Sequence, residues 1–168
     1  MKLIKVYKLL TYFLTIPTAI IALFTLVGIL VGIANPSILL DVFITACSVI
    51  YFISSFIFLN RIILSKKTCK KIIKDLIRIN GFISIFFAVK IIMGFLALLV
   101  KPSLLQQMVT DAMTQNATAF PPDFNKEMFI KLAWFFMSAI SVYAIALLVH
   151  IMVTFKLAKE NIASFISE

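Results

Sequence analysis

Lys90 is the most unusual side chain in this sequence, because it lies near the middle of an apolar run that covers residues 79–100. If that run crosses a membrane, a Lys at its centre costs roughly 2.5–3.5 kcal/mol on insertion scales, and such a residue is a functional candidate by default. Asp41 is its best partner, since it lies about one turn into the preceding apolar run, residues 37–60. At 1.5 Å of rise per residue the two Cα atoms are expected about 9 Å apart in depth, most of which an extended Lys side chain covers.

Two roles follow for this pair of charges. In the first, Lys90 and Asp41 form a structural ion pair, or Lys90 only extends its ammonium group to the headgroups. In the second, the two side chains line a path for a substrate or an ion. The residue types allow both roles, and we favour the structural one.

Polar side chains recur at helical spacing in two of the apolar runs. The first stripe, in residues 37–60, comprises Asp41, Thr45, Ser48 and Ser55, with Tyr51 and Ser54 adjacent; the second, in residues 132–155, comprises Ala139, Tyr143, Ala146, His150 and Thr154. Small and hydroxyl side chains at this spacing are typical of helix–helix contacts in membranes, although they also suit a narrow polar path. His150 is the only histidine. A proton relay is one role for it, and a hydrogen-bonded packing residue is the role we favour.

The sequence carries none of the usual signatures of an enzyme or a metal site. It has no C-x-x-C pair, no His/Cys/carboxylate cluster with ligand spacing, and no nucleophile elbow, P-loop or dinucleotide fingerprint. We therefore predict no catalytic residue, no metal and no cofactor. Cys47 lies inside an apolar run and Cys69 lies beyond its end. Roughly 21 Å of helix already separates Cys47 from Arg61, so no disulfide between Cys47 and Cys69 is expected.

Four apolar runs must position these side chains. They cover residues 9–34, 37–60, 79–100 and 132–155, and each is long enough to cross a hydrocarbon core of about 30 Å as a helix. The chain is 62% hydrophobic and 14% charged, whereas a soluble domain is usually about half apolar and a quarter charged. The first run is much longer than the apolar segment of a signal peptide, so we expect it to stay as a span. We predict an all-α integral membrane four-helix bundle that forms a single domain over residues 1–168.

The basic residues predict how the spans are oriented. The formal net charge is +9, but the positive side chains cluster at one side of the predicted membrane. They are Lys2, Lys5 and Lys8, then Arg61, Lys66, Lys67, Lys70, Lys71, Lys74 and Arg78, then Lys156 and Lys159. An excess of Lys and Arg marks the cytoplasmic side. Both termini and the loop between the second and third spans are therefore expected in the cytoplasm, and nucleic acid is not expected as a partner.

The loop between the second and third spans has a helical pattern of its own. Its apolar stripe comprises Cys69, Ile72, Ile73, Leu76 and Ile77, and its basic faces comprise Lys66, Lys67, Lys70, Lys71, Lys74 and Arg78. This pattern predicts a basic amphipathic helix that lies on the anionic inner leaflet and leads into the third span. Docking of an acidic cytoplasmic partner is the alternative role for these side chains.

The loop between the third and fourth spans, residues 101–127, is too long to be only a turn. Apolar side chains at helical spacing, from Leu104 to Met113, predict a short interfacial helix that ends before Phe120–Phe124. Asn116–Thr118 matches a glycosylation sequon, which has meaning only in a eukaryotic secretory pathway. In the first span Gly28 and Gly32 form a G-x-x-x-G pair, which favours close helix packing within the bundle, with dimerisation as the alternative.

The layout resembles that of small bacterial four-span inner-membrane proteins of uncharacterised function. The resemblance is carried by Lys2, Lys5 and Lys8 before the first span, by the basic Lys66–Arg78 loop and by the helical exit at Phe155–Glu160. It implies a bacterial cytoplasmic membrane, and it assigns no functional residue. We expect a non-enzymatic protein that acts by association, as a subunit, regulator or immunity-type factor, with a membrane protein partner or as a homo-oligomer. The alternatives are a small oligomeric channel or transporter that uses Lys90 and Asp41, and an accessory subunit of a membrane enzyme.

Overall fold

The computed structural model describes residues 2–115 and 125–166, and helices dominate both stretches. The α-helices are α1 (Lys2–Ala34), α2 (Leu39–Phe58), α3 (Lys71–Val100), α4 (Ser103–Gln115) and α5 (Lys126–Glu160). Shorter pieces are a 3₁₀ turn at Pro36–Ile38, a π turn at Leu59–Leu64 that extends α2, and a 3₁₀ turn at Ile162–Ser164. Two short strands, β1 (Cys69–Lys70) and β2 (Phe165–Ile166), pair in parallel.

Four helical stretches are long and apolar enough to cross a membrane. They are α1, the stretch Pro36–Leu64 that contains α2, α3 and α5, with 29 to 35 residues each and a mean hydropathy of 2.2 to 2.6 in their most apolar windows. The predicted all-α chain with four helices of membrane-spanning length is therefore confirmed. The helices extend beyond the predicted apolar runs, because Lys and Glu are good helix formers and allow the helix to continue past the apolar side chains.

The helix contacts bring distant parts of the chain together at one end. α1 packs against α2 and α5, α3 packs against the same two helices, and α4 packs on α3 and α5. The start of α1, the loop between α2 and α3, and the end of α5 all lie at the end of the helices where β1 pairs with β2. We call this the basic end. It carries Lys2, Lys5, Lys8, Arg61, Lys66, Lys67, Lys70, Lys71, Lys74, Arg78, Lys156 and Lys159.

The predicted amphipathic helix over the basic loop is wrong in its first part. Lys66 and Lys67 lie in a loop, where Lys66 has a φ of 55°, and Lys70 belongs to β1. The helix begins only at Lys71, and it is continuous with the third span. The local periodicity failed here because Cys69 pairs with Phe165, a contact 96 residues away along the chain that a local pattern cannot reveal.

The short helix predicted between the third and fourth spans is present as α4. Leu105 and Val109, one turn apart, are its buried side chains, so it packs one apolar face onto the ends of α3 and α5. Asn116–Thr118 and Phe120–Phe124 lie outside the described residues.

Candidate functional site

A layer of polar side chains is buried where α1, α2 and α5 meet, toward the basic end. It comprises Tyr7, Thr11, Tyr51, Ser55, His150 and Thr154, and each of these residues has 0% exposure. We call this set the polar layer. Buried polar groups in an apolar interior are stable only when they are hydrogen-bonded, and every member of this layer has a partner within the layer.

His150 lies at the centre of the layer and uses both ring nitrogens. Thr11 donates its hydroxyl hydrogen to the Tyr7 carbonyl (2.8 Å), so its oxygen accepts from Nε2 of His150 at 3.0 Å. In the neutral imidazole Nδ1 is then an acceptor, and the Tyr51 hydroxyl lies 2.9 Å from it. The same hydroxyl lies 2.9 Å from Thr154 Oγ1, which donates its own hydrogen to the His150 carbonyl at 2.7 Å. Tyr51 therefore offers one hydrogen to two acceptors on α5.

Tyr7 ties α1 to α2 in the same layer. Its hydroxyl donates to the Ser55 carbonyl at 2.9 Å and lies 2.6 Å from Ser55 Oγ. The Tyr7 ring also stacks on the imidazole of His150, with 5.1 Å between the ring centroids and 25° between the planes. Phe52 and Tyr51 contribute two further rings around the imidazole, at 6.1 and 5.8 Å. The layer is thus filled by rings and hydroxyl groups and encloses His150 completely.

Tyr143, the other polar candidate in the last span, lies two turns from His150 and outside the polar layer. Its hydroxyl is 3.2 Å from Thr18 Oγ1, which forms a second polar link between α1 and α5. The sequence prediction placed Tyr143 and His150 on one face of the last span, and the structure turns both toward α1. The sequence prediction did not single out Tyr7, because the first span was expected to start at residue 9. The spacing of Tyr7, Thr11 and Thr18 along one helix face is the signal that identifies these partners.

The structure brings Lys90 and Asp41 together. Lys90 Nζ donates to Asp41 Oδ1, and both side chains are 63% exposed. Lys90 and Asp41 lie at more similar levels along the helix axes than expected. A Cβ on Gly81 would lie 3.3 Å from the Tyr51 ring, so these two residues share a level. Lys90 lies nine residues from Gly81, and Asp41 lies ten residues from Tyr51. At 1.5 Å per residue the levels differ by about 1.5 Å rather than about 9 Å. The ion pair therefore lies ten residues before the end of α3 and in the first turn of α2.

An apolar cleft opens beside this ion pair. Two adjoining cavities, of about 330 and 460 Å³, lie between the helices on the side of the polar layer away from the basic end. Both cavities are lined by Asp41, Thr45, Phe87, Ile91 and Ile140. We call this the ion-pair cleft. Its walls come from α2, α3 and α5, and the larger cavity reaches α1.

Gly28 and Gly32 lie against α2 of the same chain. A Cβ on Gly28 would lie 3.0 Å from Val42, and one on Gly32 would lie 2.6 Å from Leu39. Small residues at this spacing let helix backbones approach closely. The G-x-x-x-G face is thus occupied within the chain by the α1–α2 contact.

The basic residues divide into two groups. Lys66, Lys67 and Lys70 belong to the loop and β1, whereas Lys71, Lys74 and Arg78 lie on the first turns of α3. Lys74 and Arg78 also line a separate cavity of about 420 Å³ at the basic end. The predicted lipid-facing set is therefore not one continuous helix face.

No group of three or more His, Cys, Asp or Glu side chains within residues 2–115 and 125–166 has the geometry of a metal site. Cys47 and Cys69 are both free thiols and buried. No protein-family model, curated protein or solved structure matches this chain.

Proposed function

We propose that this protein acts by association, as a non-enzymatic membrane subunit, regulator or immunity-type factor that binds another membrane protein through the ion-pair cleft. The exposure of the Lys90–Asp41 pair beside an apolar cleft is the observation that carries the proposal. A charged pair that faces lipid within a span is costly. A partner helix with a polar side chain at this level would replace lipid by hydrogen-bond partners, while its apolar side chains fill the cleft.

The polar layer supports association over conduction by one chain. A conduit through the helices needs a polar path at every depth, and this layer is closed by side chains such as Tyr7, Tyr51 and His150 with 0% exposure. The hydrogen bonds within the layer consume its polar atoms. A second chain that covers the cleft requires no opening of this layer.

For the arrangement in the membrane, we propose a four-helix bundle with both termini in the cytoplasm of a bacterial cell. Twelve of the sixteen Lys and Arg residues belong to the basic end, and such an excess marks the cytoplasmic side. The bacterial cytoplasmic membrane follows from the layout-level resemblance. Single cysteines at Lys67 and at Lys101 test the orientation, in a chain whose own cysteines are replaced: an impermeant maleimide added to intact cells should label only the second.

Photocrosslinking from two adjacent side chains tests the association. Phe87 lines both cavities of the cleft, whereas Phe86 is 72% exposed and lines neither. A benzophenone amino acid at position 87 should capture a protein in native membranes, and the same group at position 86 should capture mainly lipid. A crosslinked second copy of the chain would identify the partner as itself, and co-purifying enzyme activity would make the chain an accessory subunit. Equal protein capture from both positions, or from neither, would contradict the proposal.

A small oligomeric channel or transporter is the second candidate. The ion-pair cleft favours it, because the cleft opens on one side of the polar layer and places Asp41 and Lys90 where a substrate or ion would bind. It predicts that Lys90→Met or Asp41→Asn abolishes a flux in proteoliposomes while the protein still inserts and folds. Unchanged flux in both variants would exclude this use of the pair.

A further inference from the structure

Three basic side chains surround an apolar groove at the basic end. Lys74 and Arg78 contribute from α3 and Lys159 from α5, and the groove has a volume of about 420 Å³. Lys74 and Arg78 are one turn apart and therefore on the same face of α3. No residue within the described part of the chain forms an ion pair within 4 Å with any of the three. Three positive charges thus line one groove without a counter-ion among the described residues.

Two aromatic rings form the wall of the same groove one turn further into the helices. Phe82 follows Arg78 by four residues on α3, and Phe155 precedes Lys159 by four residues on α5. The two rings contact each other, with 5.4 Å between centroids and 50° between planes. Because α3 and α5 run in opposite directions, both helices present a basic side chain at one level and a Phe ring at the next level inward. The groove is therefore charged at its mouth and apolar below.

This two-level order matches one class of ligand. A phospholipid carries a phosphate at the level of the headgroups and acyl chains directly below it, in the order that the groove presents. The nearest acidic residues in sequence are Asp75 and Glu160, and neither lines the groove. An acidic protein segment would satisfy the charges, but it would leave the outer part of the Phe82 ring, which is 53% exposed, without apolar cover.

We propose that this groove is a binding site for one anionic phospholipid, with its phosphate held by Lys74, Arg78 and Lys159 and an acyl chain lying against Phe82 and Phe155. Arg and Lys both bind phosphate through charge-assisted hydrogen bonds. Basic pockets between transmembrane helices recognise anionic headgroups in the same way. In a general attraction to an anionic leaflet all basic side chains of this end would contribute, whereas here the lipid is held in one groove and the other basic side chains lie outside it.

A charge-matched pair of triple variants tests the site. The groove variant is Lys74→Gln, Arg78→Gln and Lys159→Gln. The control variant removes three charges from the same end outside the groove, at Lys66, Lys67 and Lys156. Full-length protein in neutral-lipid nanodiscs doped with phosphatidylglycerol is released into the gas phase, and native mass spectrometry counts the retained lipid. We expect retention to fall about tenfold in the groove variant and to stay within about twofold in the control.

A second matched pair tests the apolar wall. Phe82→Ala removes a ring of the groove, whereas Phe86→Ala removes an exposed ring from the same helix outside it. We expect lower phosphatidylglycerol retention only for Phe82→Ala, with unchanged helix content by circular dichroism in both. Equal losses in the two triple variants would reduce the effect to diffuse electrostatics and overturn the site. So would full retention in the groove variant, or displacement of the lipid by inorganic phosphate at millimolar concentration.

Discussion

Removing one hydroxyl group, by Tyr51→Phe, should destabilise the protein more than its size suggests. That hydroxyl lies 2.9 Å from both His150 Nδ1 and Thr154 Oγ1, so the change deletes the two contacts that Tyr51 makes between α2 and α5 in the polar layer. The ring itself stays in place, because Phe has the same shape. The change therefore isolates the polar contribution.

The magnitude follows from the two contacts that are lost. Interhelical hydrogen bonds in membranes are worth about 0.6 kcal/mol on average and about 1.7 kcal/mol at most. Because Tyr51 shares one hydrogen between two acceptors, the direct loss is about one such bond, roughly 0.6 to 1.7 kcal/mol. Because His150 is buried at 0% exposure, its Nδ1 cannot turn to water after the change, and an unsatisfied buried acceptor costs about 1–3 kcal/mol. We therefore expect a loss of about 1–3 kcal/mol in the free energy of unfolding, which is the cost of the unsatisfied acceptor.

Reversible unfolding in mixed micelles with increasing SDS content measures this loss. Tyr12→Phe is the matched control, since Tyr12 is 48% exposed and its hydroxyl makes no hydrogen bond within the described part of the chain. Its unfolding free energy should change by less than about 0.5 kcal/mol. If the two variants lose equal stability, or if Tyr51→Phe loses none, the hydrogen bonds of the polar layer do not stabilise the fold and the reasoning fails.

Two further predictions concern other parts of the fold. Gly81→Ala should be less stable than Gly94→Ala by about 1–3 kcal/mol, because its Cβ would lie 2.7 Å from the Phe155 ring whereas a Cβ on Gly94 meets nothing within 4 Å. Both changes gain the same helix propensity. Equal stabilities would show that the Phe155 ring moves aside without cost. The double variant Asp41→Asn/Lys90→Met should lose less stability than the sum of the losses in the two single variants, because each single change leaves one charge without its partner. We expect a coupling free energy of about 0.5–3 kcal/mol in this double-mutant cycle. Additive losses in that cycle would mean that the two charges do not interact in the folded protein.

Much of the architecture was predictable from the sequence, for a physical reason. A lipid-exposed helix must be apolar along about 20 residues, so composition and length reveal the four helices that are long and apolar enough to span a membrane, without knowledge of their contacts. α4 was found by its local periodicity in the same way. The polar layer was found only in part, because the pairing of Tyr7 and Thr11 with His150 depends on how α1 rotates and tilts against α5. That rotation is set by contacts between helices, which one helix's sequence does not contain.

The basic loop shows the limit of local patterns more sharply. Its apolar and basic residues alternate with helical spacing from Lys66 onward, yet the helix starts at Lys71. Tertiary contacts override propensity here, since the preceding residues are drawn into a strand by a distant partner. The periodicity was right for Lys74 and Arg78, which lie on one face of α3, and wrong for the residues that precede it.

The small parallel pair of β1 and β2 has a consequence for the order of assembly. Cys69 faces Phe165 across a separation of 96 residues in the chain, and the Phe165 ring stacks on Phe58 at 5.8 Å. During synthesis the first strand is made before α3, whereas the second is made only after α5. The pairing of β1 with β2 at the basic end therefore cannot form until α5 has been synthesised. A chain stalled before Phe165 would contain α1 to α5 and the polar layer, and it would still lack the contact between the α2–α3 loop and the residues that follow α5.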